Sequence, residues 1–264
     1  MLSHCYMMKK KVLQISVASL KRLFITNSKK FSFKIKIYSP NLQSLTYIGI
    51  PRDYIMMDHS FSSLVGADIN IAVEFLSLRS KGRQAYQCGL KNLLGGISNA
   101  KLLKISDSTL ESLLCEGLFT SQSPTSHNYT FHNLRRLEVS SKMSCVAITV
   151  LVYLLSALPN LESIVIAQGF SVFNQVDDFG RRKLPECLLL QLKAVELREF
   201  YGTKRELNVI NFFLKESLVL QTMDIVFSST FPLSWKDFST FPQGWKNSPA
   251  FWESWRIIQL GCKS

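Results

Sequence analysis

The chain has 264 residues, 47% of them hydrophobic, and 31 Lys/Arg against 19 Asp/Glu give it a formal net charge of +12. Apolar content at this level excludes a disordered protein, and the length suits one large domain or an array of repeated units. The charge is lopsided: residues 1–52 hold ten Lys/Arg and no acid, whereas the remaining 212 residues carry 21 basic and 19 acidic groups.

At the N-terminus, "MLSHCYMMKKK" has no long apolar segment followed by a small-residue cleavage site, so it does not read as a secretory signal. The basic stretch that contains it predicts a solvated face. A transit peptide, nucleic acid binding and an acidic membrane surface are the competing readings. Lysine outnumbers arginine there and no arginine alternates with aromatics, which counts against nucleic acid.

Within the same stretch a six-residue pattern begins, apolar-x-x-apolar-x-apolar, and it recurs along the chain. Its copies are Leu20/Leu23/Ile25, Leu42/Leu45/Tyr47, Leu64/Ala67/Ile69, Ala100/Leu103/Ile105, Leu134/Leu137/Val139, Leu161/Ile164/Ile166, Leu192/Val195/Leu197 and Leu220/Met223/Ile225. Their starts are 22, 22, 36, 34, 27, 31 and 28 residues apart, which is a spacing typical of solenoid units. The last two apolar residues alternate on a short strand and point inward, while the first turns the chain in from the previous unit. Each unit leaves a hydrophobic edge that only a neighbour can bury. The expected fold is therefore α/β, a solenoid with a parallel sheet of short strands backed by helices and loops.

The links between copies carry their own signals. "LLGGIS", Leu93 to Ser98, predicts a turn, because its two glycines lack the Lys-Ser/Thr of a phosphate loop. "TSQSPTSHNYTFHN" predicts an inserted loop, and its sequon Asn128-Tyr129-Thr130 an ordinary polar stretch of that loop. Met143 to Leu161 contains no charge, but the dense apolar run is only Cys145 to Leu155 and Pro159 interrupts its end. That predicts a buried helix rather than a membrane span, which needs about 20 apolar residues. In "TKRELNVINFFLKESL", Thr203 and Glu206 form a capping-box signature just after Gly202, and Leu207, Ile210, Leu214 and Leu218 line one helical face.

The copies "SPNLQSLTYIG" and "LPNLESIVI" resemble the divergent leucine-rich repeats of plant F-box proteins, over roughly residues 12–170. Residues 184–227 resemble the FBD domain that closes many of them: a Pro185-Glu186-Cys187-Leu188 start, a strand ending in Phe200, the Gly202 turn and a helix through Leu214-Lys215. The resemblance implies a leucine-rich-repeat solenoid over 1–183 with a basic N-terminal stretch, an FBD-like strand-helix-strand unit over 184–227 and a divergent aromatic tail over 228–264. Relatives of this kind act as substrate receptors, in which the repeats hold a target and the F-box docks a Skp-type adaptor and cullin ubiquitin ligase. Nothing resembling an F-box precedes the first copy, which puts the adaptor contact in doubt and leaves a ligase-independent binding or decoy protein as the alternative. The tail, with Trp235, Trp245, Trp252 and Trp255, is expected either to cap the last unit or to bind a partner.

On such a sheet the residues between the inward positions form the partner-binding face: Arg22, Phe24, Ser44, Thr46, Asp68, Lys104, Arg136, Glu138, Ser163, Glu196, Arg198 and Asp224. Both signs of charge are present, which suits a protein partner better than a phosphate backbone. Catalysis is not expected. His4, His59, His127 and His132 lie outside any motif, and the chain contains no Walker loop, G-x-G-x-x-G, G-x-S-x-G or H-E-x-x-H. The six cysteines form no C-x-x-C pair, so neither a metal nor a cofactor is expected, and reduced thiols point to a cytoplasmic or nuclear protein.

Overall fold

A computed structural model of the chain describes residues 12–27, 34–51, 55–57, 61–71, 80–115, 130–171, 185–201, 203–228 and 255–257. Asn128 and Tyr129 of the sequon, His4, His59, His127, Trp235, Trp245, Trp252 and the lysines of residues 9–11 and 29–30 lie outside these.

In chain order the first part is all strand: β1 (Val12–Ser16), β2 (Arg22–Asn27), β3 (Lys34–Tyr38), β4 (Ser44–Gly49), β5 (Ile55–Met57) and β6 (Gly66–Ile71). From there strands alternate with helices: α1 (Ser80–Gly96), β7 (Leu102–Ile105), α2 (Asp107–Cys115), β8 (Arg136–Val139), α3 (Cys145–Leu155), β9 (Ser163–Ile166), α4 (Glu186–Leu190), β10 (Ala194–Phe200), α5 (Lys204–Glu216) and β11 (Thr222–Phe227). A short β12 (Trp255–Ile257) follows. The protein is thus α/β, with one nine-stranded parallel sheet ordered β2-β4-β6-β7-β8-β9-β10-β11-β12 and a second parallel sheet, β1-β3-β5.

The repeated motif sets the register of the large sheet. Leu23 pairs with Leu45, Leu45 with Ala67, Ala67 with Leu103, Leu103 with Leu137, Leu137 with Ile164, Ile164 with Val195 and Val195 with Met223. The third motif residue keeps the same step, from Ile25 through Tyr47 to Leu197 and Ile225. Most of these side chains are buried in one continuous core, Leu45, Tyr47, Leu137 and Ile164 to 1% exposure or less.

Entry into each unit is equally regular. The carbonyl of Lys21 accepts from the N–H groups of both Gln43 and Ser44, at 2.8 and 3.0 Å. The same forked bond recurs at Gln43, Val65, Lys101, Arg135, Glu162 and Lys193, each receiving two consecutive amides of the next unit. Amides that would otherwise be stranded at the turn are thereby satisfied. Asparagines just before the first motif residue add side-chain links: Asn41 Nδ2 donates to Ala18 O (2.9 Å), Asn133 Nδ2 to Asn99 Oδ1 (3.3 Å) and Asn160 Nδ2 to His132 O (2.8 Å).

Two elements differ from the sequence expectation, and the tail adds a strand. The first units are backed by β1, β3 and β5 rather than by helices or loops; the alternation Lys34-Ile35-Lys36-Ile37-Tyr38 drives Ile35 and Ile37 inward to 4% and 2% exposure. The glycines of "LLGGIS" end a seventeen-residue helix, α1, and the turn begins only after Gly96. The tail contributes a strand, since Met223 pairs with Trp255 and Ile225 with Ile257. The uncharged run Cys145–Leu155 is an eleven-residue helix capped by Ser144, whose hydroxyl accepts from Ala147 N. Among the described residues no helix is long and apolar enough to cross a membrane.

Candidate protein-interaction face

Residues of the other strand parity point away from the core and build the outward face of the large sheet. The sequence-predicted Phe24, Thr46, Asp68, Lys104, Glu138, Glu196 and Asp224 fall on it as one row, with the unpredicted Val165 between Glu138 and Glu196, each the register partner of the next. Arg256 of β12 pairs with Asp224 and continues it. Arg22, Ser44, Arg136 and Ser163 lie in the neighbouring row, toward the strand N-termini, and Arg198 lies beyond Glu196 on β10. All twelve expected residues therefore share one face.

The face has two characters. On β7 to β10 it is a charge lattice: Lys104 Nζ lies 3.6 Å from Glu138 Oε1, Arg136 Nη2 lies 3.7 Å from Glu196 Oε2, and Arg198 Nε donates to Glu196 Oε1 at 2.6 Å. That last bond raises the Arg198 pKa above its ordinary value, against the opposing effect of burial. Arg136 reaches across β9, where its Nη1 also donates to Ser163 Oγ at 3.3 Å. Val165, on β9 between Glu138 and Glu196 in the row, is fully buried although it points outward. These pairs are solvent-accessible, so each is worth only about 0–1 kcal/mol to the fold. Their effect is to fix a pattern of charge in space.

On β2 to β6 the face is mostly apolar and hydroxylic, with Arg22 the basic residue at its β2 edge. Phe24 is 58% exposed, Ser44 and Thr46 follow on β4, and Ile48 is half-buried beside them. Asp68 is the only acid here, and burial pushes its carboxyl above the usual range, against the pull of Lys104. Val65, at 51% exposure, and Leu102, at 39%, sit at the border between the two zones. Val165, Gly66 and Leu102 were not singled out from the sequence, since they carry no charge; the motif register alone places them.

At the C-terminal end, three backbone irregularities meet. Glu199 has φ 55° at a bulge between Leu197 and Phe200, where the pairing of β10 with β11 shifts register. Gly169 has φ 64°, and a Cβ there would lie 2.7 Å from the Glu199 carbonyl oxygen. The buried carboxylate of Glu206 closes the corner: its Oε2 accepts from Thr203 N (2.7 Å), Thr203 Oγ1 (3.0 Å) and Tyr201 N (3.1 Å). Thr203 Oγ1 in turn accepts from Glu206 N, completing the capping box expected from the sequence.

This corner, from Pro185 through α4, β10, α5 and β11, coincides with a match to the FBD family model over residues 181–225. An F-box/FBD/LRR-repeat protein of Arabidopsis thaliana is 27% identical over 216 residues, 81% of this chain and 47% of the relative. An F-box/LRR-repeat protein of the same plant is 26% identical over 224 residues, 80% of this chain and 46% of the relative. Over most of its length this chain is therefore similar to plant F-box/FBD/LRR-repeat proteins. A third relative, an FBD-associated F-box protein, is 29% identical over 134 residues, 51% of this chain and 27% of its own length. The chain spans about half the length of the first two. No solved structure matches it.

Among the described residues no group of three His, Cys, Asp or Glu is placed to hold a metal. Of the described cysteines, Cys187 is buried and donates through Sγ to Leu155 O at 3.3 Å, and burial pushes its thiol up to about 12. It is a packing residue rather than a nucleophile.

Proposed function

We propose that this chain is a non-catalytic protein-interaction module, a leucine-rich-repeat solenoid whose outward sheet face holds a target protein as the substrate-binding part of an SCF-type ubiquitin-ligase receptor does. The observation that carries the reading is the single row of register partners from Phe24 to Asp224, formed by units of one motif that lead into the FBD corner. A face that is apolar and hydroxylic over β2 to β6 and charged in both signs over β7 to β10 suits a protein surface; a nucleic acid would call for a mostly basic stripe. The printed names of the relatives point the same way, toward F-box proteins with repeats. The reading places the protein in the cytoplasm or nucleus, where Skp-type adaptors and cullins act.

Co-precipitation of the tagged chain from plant extract, probed for Skp-type adaptor and cullin, tests the ligase part. Recovery of both supports a receptor role. Recovery of a reproducible set of other proteins with neither subunit makes the chain a ligase-independent binder. A salt-sensitive nucleic acid as the sole bound species would overturn both readings.

A further inference from the structure

We infer that Gly66 and Asp68 of β6 form a notch that receives one basic side chain, a lysine or arginine, from an extended partner segment lying on the outward face. The inference rests on the reading of that face as a protein-binding surface and adds where its specificity is set.

Gly66 has no structural reason to be glycine. Its φ is not in the left-handed region, where the described glycines are Gly49 and Gly169. β6 begins at it without a bulge, pairing with Ser44 on one side and Leu102 on the other. A Cβ at this position would meet no atom of the described residues within 4 Å. Seven of the other strands carry a side chain at the same row position, namely Arg22, Ser44, Leu102, Arg136, Ser163, Ala194 and Thr222, so the row dips at Gly66. A glycine costs backbone entropy wherever it is ordered in a strand, and where no bulge, bend or left-handed backbone requires it, it leaves room for a close approach from outside.

The dip has walls and an end. Exposed Leu102, the register partner of Gly66 on β7, stands beside it, offering apolar surface along which a lysine or arginine stem can lie while its head stays polar. Asp68 lies two residues on, on the same side of the strand and about 6.6 Å along it. Its nearest cationic neighbour in register, Lys104, reaches instead to Glu138 at 3.6 Å, and no described cation lies within ion-pair distance of Asp68. Burial raises the Asp68 pKa against the pull of Lys104, so its carboxylate is less favoured than that of an exposed aspartate. An incoming ammonium or guanidinium supplies a closer counter-charge than Lys104 does. Glycine at 66 and aspartate at 68 thus both cost stability in the unbound chain, on consecutive outward positions of one strand.

The test uses a display library of random linear peptides selected against the full chain. Affinities of the selected peptides are measured on wild type, Gly66→Val, Asp68→Asn and the lattice variant Arg136→Ala/Glu196→Ala, with melting curves for each. The expected result is peptides with Lys or Arg at one fixed position, bound about tenfold or more weakly by Gly66→Val and by Asp68→Asn, while both variants melt at or above the wild-type temperature. Replacing that Lys or Arg by alanine should weaken binding to wild type and add little on Asp68→Asn. Peptides indifferent to Gly66→Val and Asp68→Asn but weakened by the lattice variant would overturn the notch and leave the face standing. Peptides indifferent to all three variants, or failure to select any, would overturn both.

Discussion

Residues 12–71 and residues 80–227 build the same sheet from the same motif, yet what returns behind the sheet differs. In the first region the return is a strand, β1, β3 or β5; in the second it is a helix, α1 to α5. Chain length explains the switch. A five-residue strand such as β3, at about 3.3 Å per residue, and an eleven-residue helix such as α3, at about 1.5 Å, both travel about 16 Å. A helical return therefore needs some six more residues, and the step between motif starts rises from 22 residues to between 27 and 36. The strand entering the large sheet is indifferent to the choice, because the forked backbone bonds and the paired motif residues fix it in both regions. The outward face changes in parallel, from apolar and hydroxylic in front of the strand returns to a charge lattice in front of the helical ones.

The shared register is the feature to break first. Leu137 is fully buried on β8, and Leu137→Asp should cost more than about 4 kcal/mol by burying an unpaired charge between units. Circular dichroism and thermal melting should show an unfolded or severely destabilised chain, and a wild-type melt would mean that the register is wrong.

Next come the two kinds of backing. Ile37→Ala in β3 and Leu151→Ala in α3 truncate side chains exposed to 2% and 3%, and each should cost about 2–5 kcal/mol in denaturant titration. Comparable losses would show that strands and helices support the sheet equally, whereas a negligible loss at Ile37 would detach the second sheet from the core.

Gly169→Ala sharpens the contrast at the FBD corner, where the N-terminal region has no counterpart among the described residues. It combines a left-handed backbone with a 2.7 Å approach to Glu199 O, and a loss of about 1–3 kcal/mol is expected by the same titration.

The smallest effect concerns Asp68→Asn, and its sign is the point. Because the folded-state pKa of Asp68 is raised, the native state binds the proton more tightly than the unfolded chain, and stability is lost as pH rises through that pKa. Asparagine should therefore raise the melting temperature at neutral pH. The gain should vanish as pH falls below the ordinary aspartate range, where the carboxyl is protonated in both states. A gain that persists in acid would locate its origin elsewhere.

Much of the large sheet was legible because its motif combines two constraints: period-two burial on the strand, and a third apolar residue at a fixed distance before it. Leu134, Leu137 and Val139 satisfy both, and so do their counterparts down to Ala67, where even an alanine holds the place. The second sheet was hidden by lysines. In Lys34-Ile35-Lys36-Ile37 the alternation is plain, but the stretch reads first as a basic leader. α1 was masked by its two terminal glycines, although Tyr86, Leu90, Leu93, Leu94 and Ile97 have helical spacing and are buried. The strand in the tail had a signal too: Trp252, Trp255 and Ile257 repeat the motif once more, with tryptophan in place of leucine. On the face, charged residues announce themselves, whereas Gly66 and Val165 acquire meaning only once their neighbours on adjacent strands are known.

The most direct test of the face as the working surface is a three-way co-precipitation from plant extract, quantified by mass spectrometry. The baits are wild type, Arg136→Glu/Arg198→Glu on the outward face, and Lys91→Glu on the exposed side of α1, each first shown to be folded by circular dichroism. The account predicts a set of proteins held by wild type and by Lys91→Glu and lost from Arg136→Glu/Arg198→Glu. Identical recovery by all three baits, or a loss with Lys91→Glu alone, would contradict it.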